Sequence, residues 1–213
     1  SNKLISISLN KIGKKFQREW IFRNIDLDIA EGEKLVILGG NGSGKSTLLQ
    51  VISGFVGASE GSILFRRNGL EIKPDDLHRH ISFASPYIQL IEEFTLREVV
   101  EHVQEFKKFR NNLSSNNIIE SIQVSAAADK MVRQFSSGMK QRLKLGLAIL
   151  ADTPLLLLDE PVSNLDKNAI AWYLDLMAGN AKDRTVIVCS NAITEEYAFC
   201  ERSLNVMDYK IQR

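Results

Sequence analysis

Residues Gly39-Gly40-Asn41-Gly42-Ser43-Gly44-Lys45-Ser46-Thr47 fit the pattern G-x-x-x-x-G-K-[ST], and the chemistry of that pattern is polyphosphate binding. Backbone N–H groups of such a glycine-rich turn point inward and cradle phosphate oxygens. Glycine is required where the chain takes positive φ and must approach the anion closely. Lys45 is placed to reach β- and γ-phosphates, and Ser46 to ligate Mg²⁺. A helix starting at Ser46 or Thr47 then aims its positive end at the same anion. The competing reading is a chance match in a flexible loop. It is opposed by the apolar run Leu35–Leu38 before the loop and the helical face Leu48, Leu49, Val51 and Ile52 after it, because strand, loop and helix are what the mechanism needs.

A second constellation is Leu155-Leu156-Leu157-Leu158-Asp159-Glu160. Four apolar residues followed by two acids place carboxylates at the C-terminal end of a buried strand, where open α/β sheets bind ligands. Asp159 suits a Mg²⁺ ligand, direct or through water, and Glu160 suits the polarisation of an attacking water. Taken alone, the run reads equally well as a strand ending in a solvated turn. Downstream of a phosphate-binding loop, the catalytic reading is preferred.

These residues need elements to hold them. Residues 4–9 and 25–29 alternate apolar and polar, which predicts an antiparallel β layer at the N-terminus. Residues 34–38, 61–65 and 81–84 read as further strands. Leu155–Leu158 and Val186–Cys189 lack alternation, as strands of a parallel sheet covered on both faces do. Residues 95–135 read as helical and polar. Thr95 with Glu98 forms a capping box, followed by an apolar face of Val99, Val103 and Phe106. Asn111-Asn112 and Ser114–Asn117 read as a soft connection between helices. Ser136-Ser137 caps another helix, whose broad apolar face of Met139, Leu143, Leu147 and Leu150 predicts deep packing. The fold class expected is α/β, with a mostly parallel core sheet, an N-terminal antiparallel layer and a small helical subdomain.

The 213 residues suffice for one sizeable core, and 44% hydrophobic with 25% charged residues is ordinary for a globular protein. A net charge of +1 gives no footprint for nucleic acid, so no nucleic-acid partner is expected. The longest apolar stretches, 145–151 and 155–158, are too short to span a bilayer, and no signal peptide is read at the N-terminus. Cys189 and Cys200 lack metal-like spacing; Cys189 reads as a small buried thiol, which fits a reduced, cytoplasmic setting. His78 and His80 read as surface residues of a polar connection, and neither they nor His102 form a catalytic pattern.

In this order, the phosphate loop, a helical stretch, Phe135-Ser136-Ser137-Gly138-Met139, Asp159-Glu160-Pro161 and Ser163-Asn164-Leu165-Asp166 resemble the ATP-binding-cassette (ABC) ATPases over nearly the whole chain. The resemblance implies one P-loop NTPase domain over 1–213, with a helical subdomain at roughly 87–150. It implies ATP and Mg²⁺ as cofactors, and hydrolysis in a head-to-tail dimer that drives a separate membrane permease. The chain would then be cytoplasmic, peripheral on the inner face of the membrane. Ser136, Ser137 and Gly138 correspond to the family's signature, a helix start able to hold an anion, and the resemblance places it against the P-loop of a second subunit. Without that pattern, Ser136-Ser137 is a plain helix cap. Asp166 belongs to the family's D-loop. Phe16 takes the adenine-stacking position of its aromatic loop, with Trp20 and Phe22 as competitors and core packing as the alternative for all three.

Three departures from the pattern stand out. The signature has Ser137 where glycine is usual and Met139 where glutamine is usual. The glutamine expected after the strand at 81–84 is replaced by Ser85 or Pro86, with Gln89 nearby but offset. The switch histidine expected after Val186–Cys189 is replaced by Asn191, which donates a hydrogen bond but carries no exchangeable proton near neutrality. Slow intrinsic turnover is therefore expected, resting on Glu160, Lys45 and Asn191. A soluble ATP-switched protein of translation or DNA repair, and a degenerate cassette that binds ATP without turnover, are the alternatives.

Overall fold

The computed structural model describes residues 4–211, so the domain span expected from the sequence runs past the described residues at both ends. The chain divides into two compact units. Among the described residues, the first comprises 4–83, 153–160 and 181–211, and the second 84–152 and 161–180.

The first unit holds two sheets. Strands β1 (Ser6–Phe16), β2 (Glu19–Ile29), β4 (Glu60–Arg67) and β5 (Leu70–Glu71) form an antiparallel sheet in the order β2-β1-β4-β5. β1 and β2 are longer than their alternating cores, because register shifts after Leu9 and Ile12 bend β1 and let it continue to Phe16. Phe16 pairs with Glu19 across a two-residue turn, with Gln17 at φ 54°. β5 was not expected from the sequence; it is made by the Asn68-Gly69 turn, both residues at positive φ, which pairs Arg67 with Leu70.

The second sheet of this unit contains β3 (Lys34–Leu38), β6 (Ile81–Ala84), β7 (Leu155–Asp159), β8 (Thr185–Ser190) and β9 (Arg202–Asn205), in the order β6-β7-β8-β3-β9. β3 runs parallel to both β8 and β9, and β7 parallel to β8. Every residue of β7 and β8 is buried, as their unbroken apolar runs require. Between the sheets lies one core that includes Ile7, Ile12, Phe22, Ile37, Leu48, Leu157 and Ile187. Helix α1 (Lys45–Ser53) buries Leu48, Leu49, Val51 and Ile52 in it, and the short α6 (Thr194–Tyr197) follows β8. His80 is half-buried rather than on the surface, with Nδ1 3.4 Å from Arg67 Nη1, while His78 is exposed.

The second unit is helical: α2 (Leu96–Phe106), α3 (Ser115–Ser121), α4 (Ser137–Ile149) and α5 (Lys167–Asn180), joined by 3₁₀ turns. The Thr95–Glu98 capping box is present as expected. The expected face of α2 is corrected at its end, since Phe106 is 75% exposed while Leu96, Val99 and Val100 are buried. Phe106 instead stacks edge-on with His102, whose ring also meets Phe94. Ser114–Asn117 is not a soft connection; it is a second capping box that starts α3, with Asn117 as the reciprocating side chain. α4 buries Leu143, Leu145, Ala148 and Ile149.

Candidate active site

Parallel strands share one carboxyl edge, and the candidate residues of the first unit collect there. The loop at Gly39 leaves β3 at Leu38, which pairs with Ser190, and Asp159 ends β7 opposite Cys189. A turn bond folds the loop back on itself, the Ser43 N–H donating to Gly40 O, and the Leu48 N–H donates to Gly44 O as the first bond of the helix that follows. Helix α1 begins at Lys45, one residue before the expected start. Gly44 caps it at φ 99°, and a Cβ built there would lie 2.5 Å from Ile21 Cγ2, so both backbone conformation and space demand glycine. Ser43 Oγ is buried with no partner among the described residues. A polar atom left so at a loop of inward N–H groups is suited to a ligand.

Lys45 is 3% exposed, and its Nζ lies 3.0 Å from Glu160 Oε1 and 3.4 Å from Gly40 O. Glu160 has φ 45°, and its N–H donates to Cys189 O at 2.9 Å, which fixes the turn that aims the carboxylate at Lys45. Asp159 is 2% exposed and its Oδ1 has no partner among the described residues. Burial pushes its carboxyl up to about 6, against the pull of a hydrogen bond from the Ser46 hydroxyl. A buried carboxylate oxygen without a donor, beside a hydroxyl, is a fit for a hard cation. Among the described residues no three His, Cys, Asp or Glu side chains gather as a metal site. Mg²⁺ beside a polyphosphate needs fewer protein ligands than that.

Asn191 follows β8 and its Nδ2 donates to Asn41 Oδ1 at 3.4 Å, which puts it against the loop. Cys189 is wholly buried, as expected, and its Sγ–H donates to Lys45 O. That support of the first helical turn carried no signal in the sequence.

The three aromatic candidates separate by environment. Phe22 is fully buried core. Trp20 is met by two cations, Arg23 at 4.3 Å from its ring centroid and Lys15 at 5.3 Å. Phe16 is 48% exposed and lines a cavity of about 960 Å³ with Arg18, Glu19, Ile21 and Lys210. Trp20 lines the same cavity, but Phe16 is the most exposed of the three rings, with the Lys14 ammonium 5.0 Å from its centroid.

The second unit carries the remaining candidates. Ser136 caps α4, its Oγ accepting from the Met139 N–H at 3.2 Å. Ser137 is the first residue of α4, and a Cβ on Gly138 would meet Asn164 O at 3.0 Å. Asp166 Oδ1 accepts from the Ala169 N–H at 2.8 Å and so caps α5. Ser85 is buried and its Oγ accepts from the Tyr87 N–H, whereas Gln89 is exposed.

The chain is similar to known proteins throughout. The ABC transporter family profile matches residues 22–163. An uncharacterized ABC transporter ATP-binding protein of Bacillus subtilis, YybJ, is 30% identical over 94% of this chain and 92% of its own length. The energy-coupling factor transporter ATP-binding protein EcfA1 of Fusobacterium nucleatum is 31% identical over 85% of this chain and 71% of its own length. Among solved structures, the ATP-binding cassette MJ0796, a dimer in a post-hydrolysis state bound to ADP and phosphate, superposes with a TM-score of 0.81 and 26% identity over 97% of both chains. With its phosphate loop, its acidic strand end and this likeness, the chain belongs to the ABC transporter family and has the α/β P-loop fold of that family's ATPases.

Proposed function

We propose that the chain is the ATP-hydrolysing subunit of an ABC transporter, acting as a head-to-tail pair that drives a separate membrane permease. The observation that carries this reading is the meeting, on one sheet edge, of a buried Lys45, a buried Asp159 with an unpartnered oxygen, and Glu160 at 3.0 Å from Lys45. The triphosphate lies along the loop N–H groups, with Lys45 turned to its β- and γ-phosphates. Glu160, released from Lys45 by the competing phosphates, accepts the proton of the water that attacks the γ-phosphorus as the bond to the bridging oxygen breaks. Asn191, held against the loop by its bond to Asn41, donates to the γ-phosphate. A bound Mg²⁺ would be held by the Ser46 hydroxyl and the Asp159 carboxylate, directly or through water, and would supply charge neutralisation at the phosphates.

Adenine stacks on Phe16, the most exposed of the three candidate rings. Ser136, Ser137 and Gly138 of one subunit close on the nucleotide of the other, and Asp166 belongs to the same contact. The dimeric state of MJ0796 with ADP and phosphate supports this arrangement. The names of the relatives support a transport role, and the subunit then sits on the cytoplasmic face of the membrane through its permease. No described helix is long and apolar enough to cross a membrane, so the permease is a separate chain or segment. Loss of the switch histidine to Asn191 makes turnover slow. The degenerate-cassette alternative is motivated by the same Asn191 and by Ser85-Pro86 in place of a glutamine.

The test is a pull-down from detergent-solubilised membranes of the source cell, using Glu160→Gln protein with ATP, alongside phosphate release by the wild-type chain. A polytopic membrane protein recovered in near-equal amount, with phosphate release that Glu160→Gln removes, is the expected result. Ribosomal or DNA-repair proteins in its place would overturn the transport reading, and no phosphate release at all would establish the degenerate cassette.

A further inference from the structure

The segment after β9 touches the phosphate loop at both ends. A Cβ on Gly39, at the start of the loop, would lie 2.8 Å from Val206 Cγ1, and one on Gly44, at its end, would lie 3.8 Å from Lys210 Nζ. This segment is held firmly. Asn205 Oδ1 accepts from the Met207 N–H at 3.0 Å, a 3₁₀ turn spans Val206–Tyr209, Val206 is fully buried, and the Lys210 N–H donates to Met207 O at 3.3 Å. An ammonium is thereby placed beside the last glycine of the loop by elements that do not belong to the loop.

We propose that Lys210 is a second cation of the nucleotide site and pairs with the α-phosphate. The proposal rests on the phosphate loop holding a nucleoside triphosphate. Its position along the nucleotide follows from what surrounds it. Lys45 turns toward Glu160 and Gly40, which marks the terminal-phosphate end. Phe16, the most exposed of the three candidate rings, lines the same cavity as Lys210. A nucleotide running from Phe16 to Lys45 passes Gly44 with its ribose and α-phosphate, and those are the groups within reach of Lys210 Nζ. The charges of that cavity agree. Its ionisable lining is Arg18, Glu19 and Lys210, and burial lowers the Lys210 ammonium from the usual lysine value with Glu19 opposing. A phosphate beside it would compensate that desolvation.

Calorimetric titration of ATP and of ADP into wild type, Lys210→Met, Lys210→Arg and Lys45→Ala tests it, with thermal unfolding of each nucleotide-free protein as a check of folding. Methionine keeps the stem and removes the charge. Lys210→Met should weaken ATP and ADP by the same factor, about tenfold, because both carry the α-phosphate. Lys210→Arg should restore most of the affinity, and KM for ATP should rise in Lys210→Met while kcat at saturation is retained. Affinities within twofold of wild type in Lys210→Met, in a protein where Lys45→Ala abolishes binding, overturn the proposal and leave the phosphate loop standing. A loss confined to ATP would place the ammonium at the γ-phosphate and also overturn it. Wild type that binds neither nucleotide overturns the phosphate-loop reading and the proposal together.

Discussion

Glu160 is a non-glycine residue at φ 45°, a conformation that costs about 1 kcal/mol and persists only where neighbours enforce it. Here the enforcing group is Cys189 O, which accepts the Glu160 N–H at the end of a buried strand. The result is a carboxylate aimed at Lys45 and still a third exposed, so that a water can reach it. Glutamine at position 160 keeps the size and the backbone but cannot take a proton. Phosphate release by Glu160→Gln should therefore fall by about 10²- to 10⁴-fold with ATP binding retained; wild-type turnover in that variant would refute the general-base role. Lys45→Ala removes the only side-chain cation buried in the loop, and calorimetry should detect no ATP binding; unchanged affinity would refute the phosphate-loop assignment. Asn191 lies within hydrogen-bonding distance of Asn41 and is itself exposed, so a larger side chain fits. Asn191→His should raise kcat if the missing histidine limits turnover, and an unchanged kcat would show that another step does.

At the scale of elements, the loop is constrained by the strand packed against it. Gly44 cannot become alanine without displacing Ile21 of β2 or abandoning φ 99°, so Gly44→Ala should lose ATP affinity while the helical unit keeps its stability. Thr95→Ala is the complement: it breaks the capping box of α2, costs about 1 kcal/mol in denaturant unfolding, and leaves ATP affinity as it was. These two elements were legible in the sequence for a physical reason, since a glycine pattern and a capping box are local devices. The apolar runs of β3, β7 and β8 were legible because both faces are buried. β9 was not, because only Leu204 of its four residues is buried and it gains its pairing from β3. β5 and α5 did carry signals, Asn68-Gly69 as a two-residue turn and Ala169, Trp172, Tyr173 and Met177 at helical spacing, although neither element was placed from the sequence. Phe106 shows the limit of periodicity: it has the right spacing on α2 but lies at the last turn, where it meets the edge of His102 and stays 75% exposed. In the site, loop and acids were read by number, whereas the choice of Phe16 over Trp20 and Phe22 needed burial, and Lys210 needed the path of the chain after β9.

At the scale of the whole molecule, one chain supplies only part of each nucleotide site of the proposed pair. Its first unit carries a phosphate loop with acids and a base, and its second carries Ser136, Ser137 and Gly138 at the start of α4. A helix start with a serine cap offers N–H groups and a positive dipole to an anion. In the proposed pair, that anion is the γ-phosphate bound by the other subunit, so dimerisation should depend on nucleotide. Glu160→Gln protein with ATP should sediment as a dimer, and the same protein with ADP as a monomer. The side chain at position 136 separates this from mere folding. Aspartate caps a helix about as well as serine, so Ser136→Asp should preserve the bond from the Met139 N–H and the unfolding midpoint. It would also set a negative charge against the partner's phosphate. In the Glu160→Gln background, Ser136→Asp should bind ATP normally yet remain monomeric in sedimentation velocity. A dimer that forms undiminished would show that the start of α4 does not face the second nucleotide, and the serine would then be only the helix cap that its hydrogen bond already makes it.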